Sequence, residues 1–97
     1  MSNNNTSDVD VILAERGSRY GKFSSHSQIT QEIKAIIYTG QSAEKLSPSQ
    51  CEALDMIAHK IGRIVNGDPN YADSWIDIAG YAKLVADELE EKTREPF

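Results

Sequence analysis

One stretch of this acidic chain concentrates positive charge between aromatic rings. It spans residues 16–26 and contains Arg16, Arg19, Tyr20, Lys22, Phe23 and His26. Guanidinium and ammonium groups donate charge-assisted hydrogen bonds to phosphate oxygens, and flat rings stack on bases. Two glycines in the same stretch are typical of a loop, where ligand sites are common. These residue types together predict contacts to a ligand that carries both phosphate and a flat ring.

Three residues further along the chain extend this set of candidate ligand contacts: Lys60, Arg63 and Tyr81. Lys60 and Arg63 lie almost one turn apart on a predicted helix, beside an acidic stripe. Salt bridges to Glu52, Asp55 or a neighbouring helix explain these two cations as well as phosphate contact does. For Tyr81, packing in a core or an interface is the stronger interpretation. Both alternatives stay open from the sequence.

Four carboxylates form a second candidate site, on two consecutive predicted helices: Glu52, Asp55, Asp73 and Asp77. Oxygen ligands from facing helices are what Mg²⁺ binds in helical proteins, so Mg²⁺ is the candidate cofactor. Glu52 and Asp73 each lie near the start of their helix, so an antiparallel pair would place them at opposite ends, and a partner subunit would have to supply the missing half. Solvated carboxylates that interact with the helix dipoles are the alternative.

Two long helices are predicted to position these groups, within residues 47–91. The first begins with Ser47 as N-cap, Pro48 at the first helical position and Gln50 completing a capping box. Gly67 is predicted to end it in a left-handed conformation, and Asp68-Pro69 to begin the next helix. The connection is short, so the two helices are predicted to be antiparallel neighbours.

Apolar residues at helical spacing predict the core-facing side of each long helix. On the first helix they are Leu54, Ile57, Ile61, Ile64 and Val65, and on the second they are Trp75, Ile78, Ala79, Ala82, Val85, Ala86 and Leu89. Gly80 in the middle of the second helix costs about 1 kcal/mol relative to alanine. We therefore expect another part of the protein to approach the backbone there.

Two shorter helices are predicted before this pair, at residues 8–16, capped by Thr6 or Ser7 and ending at Gly17, and at about residues 25–38, ending at Gly40. Residues 41–46 form a connector. The predicted organisation is a disordered leader at 1–7, a single all-helical domain at 8–91 and a frayed C-terminal tail at 92–97. No strand pattern is present, so the predicted fold class is all-α: a small helical bundle built on the long antiparallel pair.

Length and composition limit the kinds of partner that this protein can have. A chain of 97 residues buries a limited core, so we expect a homo-oligomer. The net charge of −5 argues against binding to long nucleic acid, whose affinity depends on basic residues. The longest apolar run, residues 35–38, is far too short to span a bilayer, and no signal peptide is evident. With a single cysteine, these features predict a cytoplasmic protein with no membrane partner.

Three segments resemble small uncharacterised phage and prophage proteins: residues 15–21, 59–64 and 73–82. More distantly, Tyr20-Gly21, Lys60-x-x-Arg63 and Asp73-x-x-x-Asp77-x-x-x-Tyr81 are similar to all-helical, MazG-like nucleotide pyrophosphohydrolases and to nucleotide-modification-associated domains of phages. The resemblance implies an oligomeric helical bundle in the cytoplasm of a bacterial host. It also implies that nucleotide phosphates are held through Mg²⁺.

The chain departs from the MazG-like pattern at the metal ligands. Those enzymes carry Glu-x-x-Glu on one helix and Glu-x-x-Asp on the next, whereas this chain has Glu52-x-x-Asp55 and Ser74-x-x-Asp77. Asp73 is one residue out of place, which rotates its carboxylate by about 100°. The resemblance with this departure favours a protein that captures a small nucleotide without turnover, such as a cyclic or ADP-ribose-derived immune signal of the host. The alternatives are a Mg²⁺-dependent nucleoside triphosphate pyrophosphohydrolase and a helical protein-interaction domain without a small ligand.

Overall fold

The computed structural model describes residues 7–94, with side chains for residues 7–92. This part of the chain forms helices α1 (Asp8–Tyr20), α2 (Phe23–Ile37), α3 (Pro48–Asn66) and α4 (Ala72–Arg94), with a short 3-10 helix, Ala43–Lys45, before α3. No strand occurs within it. The all-helical class is therefore confirmed, and the arrangement is compatible with a small helical bundle. None of these helices is both long and apolar enough to cross a membrane.

Helix α3 lies at the centre of the fold. It packs against α2 and α4, and α1 packs against α2 and α3. The predicted capping box is confirmed, because Ser47 Oγ accepts a hydrogen bond from the Gln50 backbone at 3.1 Å and Gln50 Oε1 accepts one from the Ser47 backbone at 2.9 Å. Pro48 at the start of α3 and Glu88 near the end of α4 line one groove. The two long helices are therefore antiparallel, as predicted.

Helix α1 is longer than its sequence pattern suggests. Ser7 caps its start by accepting a hydrogen bond from the Asp10 backbone at 3.1 Å. Gly17, the predicted stop, lies inside the helix, and the helix ends instead at Gly21, whose φ is 77°. The basic and aromatic stretch predicted as a loop is thus mostly helical, and only Gly21 and Lys22 connect α1 to α2. Residues 1–6 of the predicted leader and 95–97 of the predicted tail lie outside the described residues.

The connection between α3 and α4 also differs from the prediction. Gly67 ends α3, but with a φ of −130°, so the predicted left-handed conformation is wrong. A glycine is needed here because a Cβ atom would overlap the backbone of Arg19 and Tyr20. Asp68 and Pro69 form a turn, in which Asp68 Oδ1 accepts from the Asn70 backbone at 2.9 Å, rather than the start of the next helix. Helix α4 begins at Ala72.

Helix α4 packs on α3 with a side that overlaps the predicted one only along one half-buried edge. Buried Ser74 and half-buried Asp77 and Tyr81 lie toward α3, while Trp75 is 55% exposed. One polar contact accounts for this orientation: Lys60 Nζ lies 2.9 Å from Asp77 Oδ2, and the Lys60 side chain is only 12% exposed. Since α4 packs against a single helix, turning this side inward leaves most of the predicted apolar side uncovered.

Helices α2 and α3 approach each other closely at Gly62. A Cβ atom at Gly62 would overlap Thr30 Oγ1 and lie 2.9 Å from His26 Cδ2, and both of these residues are buried. Gly80 is different, because nothing lies within 4 Å of a Cβ atom added there. The close approach predicted at Gly80 is therefore wrong within the chain, and Gly62 is the helical glycine that packing requires.

These two glycines give a matched pair of substitutions. Gly62→Ala is expected to lower the free energy of unfolding by about 2 kcal/mol, because overpacking a buried contact outweighs the gain in helix propensity. Gly80→Ala should raise it by up to about 1 kcal/mol, because only the propensity changes. Urea unfolding followed by circular dichroism measures both values. Equal stability of the two variants would show that the α2–α3 contact is looser than described.

Candidate functional site

A cavity of about 480 Å³ lies where α1, α2 and α3 meet, and we call it the α1–α3 pocket. It is lined by Leu13, Arg16, Gly17, Tyr20, Gly21, Lys22, Phe23, His26 and Arg63. Six of the ligand contacts predicted from the sequence are therefore brought together. The volume falls within the range of roughly 300 to 1,000 Å³ that small-molecule sites occupy.

Three cations line this pocket, and each comes from a different segment of the chain. Arg16 belongs to α1, Lys22 to the connector and Arg63 to α3. No carboxylate is among the lining residues. The Arg63 guanidinium lies over the Tyr20 ring, 4.2 Å from its centroid. This stacking orients the guanidinium plane and leaves its N–H edges able to donate hydrogen bonds.

Aromatic rings form the rest of the pocket wall. Phe23 is 78% exposed at the first position of α2, and its ring meets the buried His26 ring edge-on with centroids 6.2 Å apart. Tyr20 meets Tyr71 in the same way, at 6.1 Å. One side of the pocket thus presents an open phenyl face beside positive charge. A planar ligand can stack there without displacing any other side chain.

His26, which lines the pocket, packs against a second histidine, His59. His26 Nε2 lies 3.1 Å from the His59 backbone oxygen and must donate, because a carbonyl only accepts. The two imidazole rings meet edge-on with centroids 4.5 Å apart. Burial, reinforced by the positive charge of Arg63, lowers the pKa of His59 to about 4. His59 is therefore neutral at pH 7 and packs as an apolar ring.

Asn66, at the end of α3, holds the connector that carries Lys22. Its Nδ2 donates hydrogen bonds to the backbone oxygens of Tyr20 at 2.8 Å and Lys22 at 3.1 Å. The Asp68 backbone donates to the Arg19 oxygen at 2.6 Å. Sequence reasoning missed this role, because an asparagine before a helix-ending glycine is common in any helix. The only available signal was its position opposite the apolar side of α3, in one stripe with Glu52, Asp55, His59 and Arg63.

Residues 6–89 match the model of a family described as a domain of unknown function, DUF6378. The chain belongs to the DUF6378 family. No curated protein and no solved structure matches it. All residues that line the α1–α3 pocket lie inside the DUF6378 match, and the family description assigns no activity to them. It also makes no link to phage proteins or MazG-like enzymes, so that resemblance stays a prediction.

Three predicted ligand contacts of this DUF6378 protein lie outside the pocket lining. Arg19 precedes Tyr20 by one residue on α1, so its side chain points about 100° away. It forms an ion pair with Glu15 at 3.2 Å, and its guanidinium lies over the Tyr71 ring, 4.8 Å from the centroid. Lys60 is taken up by its ion pair with Asp77. Tyr81 is half-buried along the α3–α4 pair.

The four predicted metal ligands are distributed over different neighbours. Asp55 accepts a hydrogen bond from the Tyr38 hydroxyl at 2.7 Å, which raises the pKa of Tyr38. Asp73 accepts one from the Tyr71 hydroxyl at 2.9 Å, which likewise raises the pKa of Tyr71. Asp77 pairs with Lys60, and Glu52 lines a groove with Tyr81 and Glu88.

No group of three histidine, cysteine or acidic side chains within residues 7–92 is placed to hold a metal ion. The described part of a single chain therefore does not fit a Mg²⁺ site. Binding of Mg²⁺ stays a prediction from the resemblance.

The Asn66 contact can be tested with an isosteric substitution. Asn66→Asp replaces the amide donor with a carboxylate that faces two carbonyl oxygens, so the free energy of unfolding should fall by about 2 kcal/mol. Asn70→Asp is the matched control, because Asn70 is exposed and its backbone makes the local hydrogen bond. Urea unfolding at pH 7 measures both variants. A loss at Asn66 no larger than the loss at Asn70 would contradict the proposed support of the connector.

Proposed function

We propose that this DUF6378 protein binds a small nucleotide in the α1–α3 pocket and retains it without turnover. The observation that carries the proposal is the convergence of Arg16, Lys22 and Arg63 around two aromatic rings in a protein whose net charge is −5. A nucleotide combines the two features that such a pocket recognises, which are a phosphate group and a flat base. Simple anions would use the cations but not the rings.

The phosphate is the part of the ligand that the cations would bind. Arginine presents N–H groups in a rigid fork that matches phosphate oxygens, and lysine adds a compact positive charge. Arg63 is already oriented by stacking on Tyr20, so less conformational entropy is lost when it binds. With no carboxylate in the lining, the three positive charges are not neutralised inside the pocket.

The base would stack on Phe23, whose ring is exposed at the edge of the pocket beside Lys22. Stacking of a base on an aromatic side chain contributes about 1–3 kcal/mol and tolerates different bases. Leu13, which is also exposed, adds apolar surface to the pocket lining. This arrangement supports recognition of the nucleotide class more directly than recognition of one particular base.

Retention is favoured over hydrolysis by what lines the pocket. Its lining residues include no carboxylate that would bind Mg²⁺. His26 is engaged with a backbone carbonyl through Nε2, so it acts as a wall of the pocket. Binding without turnover is what sequestration requires, and we extend the proposal to capture of a cyclic or ADP-ribose-derived immune nucleotide, which the protein would keep from its receptor.

Charge reversal tests where the ligand binds. Lys22→Glu and Arg63→Glu are each expected to weaken nucleotide binding more than tenfold, which corresponds to at least about 1.4 kcal/mol. Arg19→Glu should have a smaller effect, because Arg19 pairs with Glu15 outside the pocket lining. Lys45→Glu is the matched control, since it makes the same charge change on the exposed 3-10 helix before the other end of α3.

Titration calorimetry with nucleoside triphosphates, cyclic dinucleotides and ADP-ribose measures these affinities. If the Lys22 and Arg63 variants bind as tightly as the Lys45 variant, the ligand does not occupy the α1–α3 pocket.

Capture and hydrolysis are separated by recovering the ligand. The protein is incubated with the same nucleotides, with and without Mg²⁺, and the solution is chromatographed before and after heat denaturation. Capture predicts that the ligand leaves the solution and returns intact on heating. Appearance of a monophosphate and pyrophosphate only with Mg²⁺ would contradict retention and establish the alternative of a pyrophosphohydrolase. The Arg63→Glu variant, which should not deplete the ligand, is the control.

A further inference from the structure

An apolar face that is only partly covered runs along one side of the α3–α4 pair. At 100° of rotation per residue, its residues fall within an arc of about 120° on each helix. The apolar face consists of Leu54, Ile57, Ile61 and Val65 of α3, and of Trp75, Ile78, Ala79, Ala82, Val85, Ala86 and Leu89 of α4. Leu54 and Ile57 line the same groove as Ala82 and Val85. The two stripes therefore lie side by side and form one surface without a charged residue.

Much of the apolar face is open to solvent. Val65 is 63% exposed, Trp75 55%, Leu89 45% and Ile61 37%. With a full area of roughly 200 Å² for each large apolar residue and about 100 Å² for alanine, these four residues and the exposed alanines of α4 alone expose on the order of 500 Å², more than half of the ~800 Å² per partner of a standard stable interface. Exposed apolar patches of this size mark interaction surfaces.

The spacing along α4 indicates that the occupant is another helix. Trp75, Ala79, Ala82, Ala86 and Leu89 follow one another in alternating steps of four and three residues, which is the pattern of a seam between paired helices. The alanines leave room for a second helix to approach closely. Trp75 is also fixed in place, because its indole nitrogen donates to the Pro69 oxygen at 2.9 Å. A large ring held in one orientation is typical of an interface anchor.

The core of a single subunit indicates that this helix belongs to a second copy. The buried apolar residues in the described part of the chain are Ala53, Ala58 and Ile64, and no large side chain there is fully buried. A subunit with so little internal apolar burial gains stability when another chain covers its apolar surface, and a second copy is present wherever the protein is made. We propose that a second copy covers the apolar face and forms a twofold homodimer, in which two α3–α4 pairs make a four-helix bundle.

This dimer would leave the α1–α3 pocket open. Arg63, which lines the pocket, lies about 160° around α3 from Val65, which belongs to the apolar face. Dimerisation and nucleotide binding therefore use different sides of the central helix. Failure of one proposal does not imply failure of the other.

Charged substitutions inside and outside the apolar face test the proposal. The full chain is expected to sediment as a dimer across a dilution series. Val65→Glu and Ala82→Glu place a charge in the buried interface of each subunit and should raise the dimer dissociation constant at least about a hundredfold. Ile76→Glu is the matched control, because Ile76 is 63% exposed, as Val65 is, but lies outside the apolar face. It should leave the dimer intact.

Sedimentation velocity gives the oligomeric state, and circular dichroism shows that each variant keeps its helices. Ala82 is exposed within the subunit, so its substitution does not disturb the fold of the monomer. A wild-type monomer, a wild-type trimer, a dimer that survives both Val65→Glu and Ala82→Glu, or a dimer lost only in Ile76→Glu would each overturn the proposal.

Discussion

The packing of the C-terminal end of α3 against the α1–α2 connector is the contact on which the candidate site depends. A connector of two residues has few hydrogen bonds of its own, so Asn66 supplies them by donating to carbonyl oxygens on both sides of Gly21. Glycines at positions 21 and 67 let the two backbones approach, since a Cβ atom on either would overlap the other segment. This junction places Lys22 and Tyr20 opposite Arg63. The shape of the α1–α3 pocket therefore depends on the hydrogen bonds between the end of α3 and the α1–α2 connector.

Some of the charged side chains of this acidic protein form ion pairs outside the α1–α3 pocket. Asp77 pairs with Lys60 along the α3–α4 contact, and Glu15 pairs with Arg19 on the outer side of α1. The cations that line the α1–α3 pocket have no carboxylate among their lining neighbours. A local positive field can therefore persist in a chain with a net charge of −5, which is the condition for attracting a phosphate group.

The subunit combines a close contact between α2 and α3 with a looser contact between α3 and α4. At the α2–α3 crossing the α3 backbone comes so near the Thr30 and His26 side chains that only glycine fits at position 62. Along α4, by contrast, one side meets α3 through buried Ser74 and the Asp77 ion pair while Trp75 and Leu89 remain exposed. The Lys60 side chain is only 12% exposed, so its ammonium group needs the short contact to Asp77, whose own side chain is 45% exposed and stays partly hydrated. With α4 in this orientation, an apolar surface is left available for a partner.

The sequence by itself determined the helical class, the capping box at Ser47 and the antiparallel pair, because capping and periodicity act over a few residues. It also grouped most of the predicted ligand contacts that line the pocket, since five of these six residues lie within residues 16–26 and only Arg63 comes from a distant segment. Tertiary structure decided that α1 continues past Gly17, since the hydrogen bonds that fix its end come from Asn66 in a distant helix. It also decided which side of α4 turns inward. Periodicity identifies an apolar stripe, but it cannot say whether that stripe meets the same chain or a second copy.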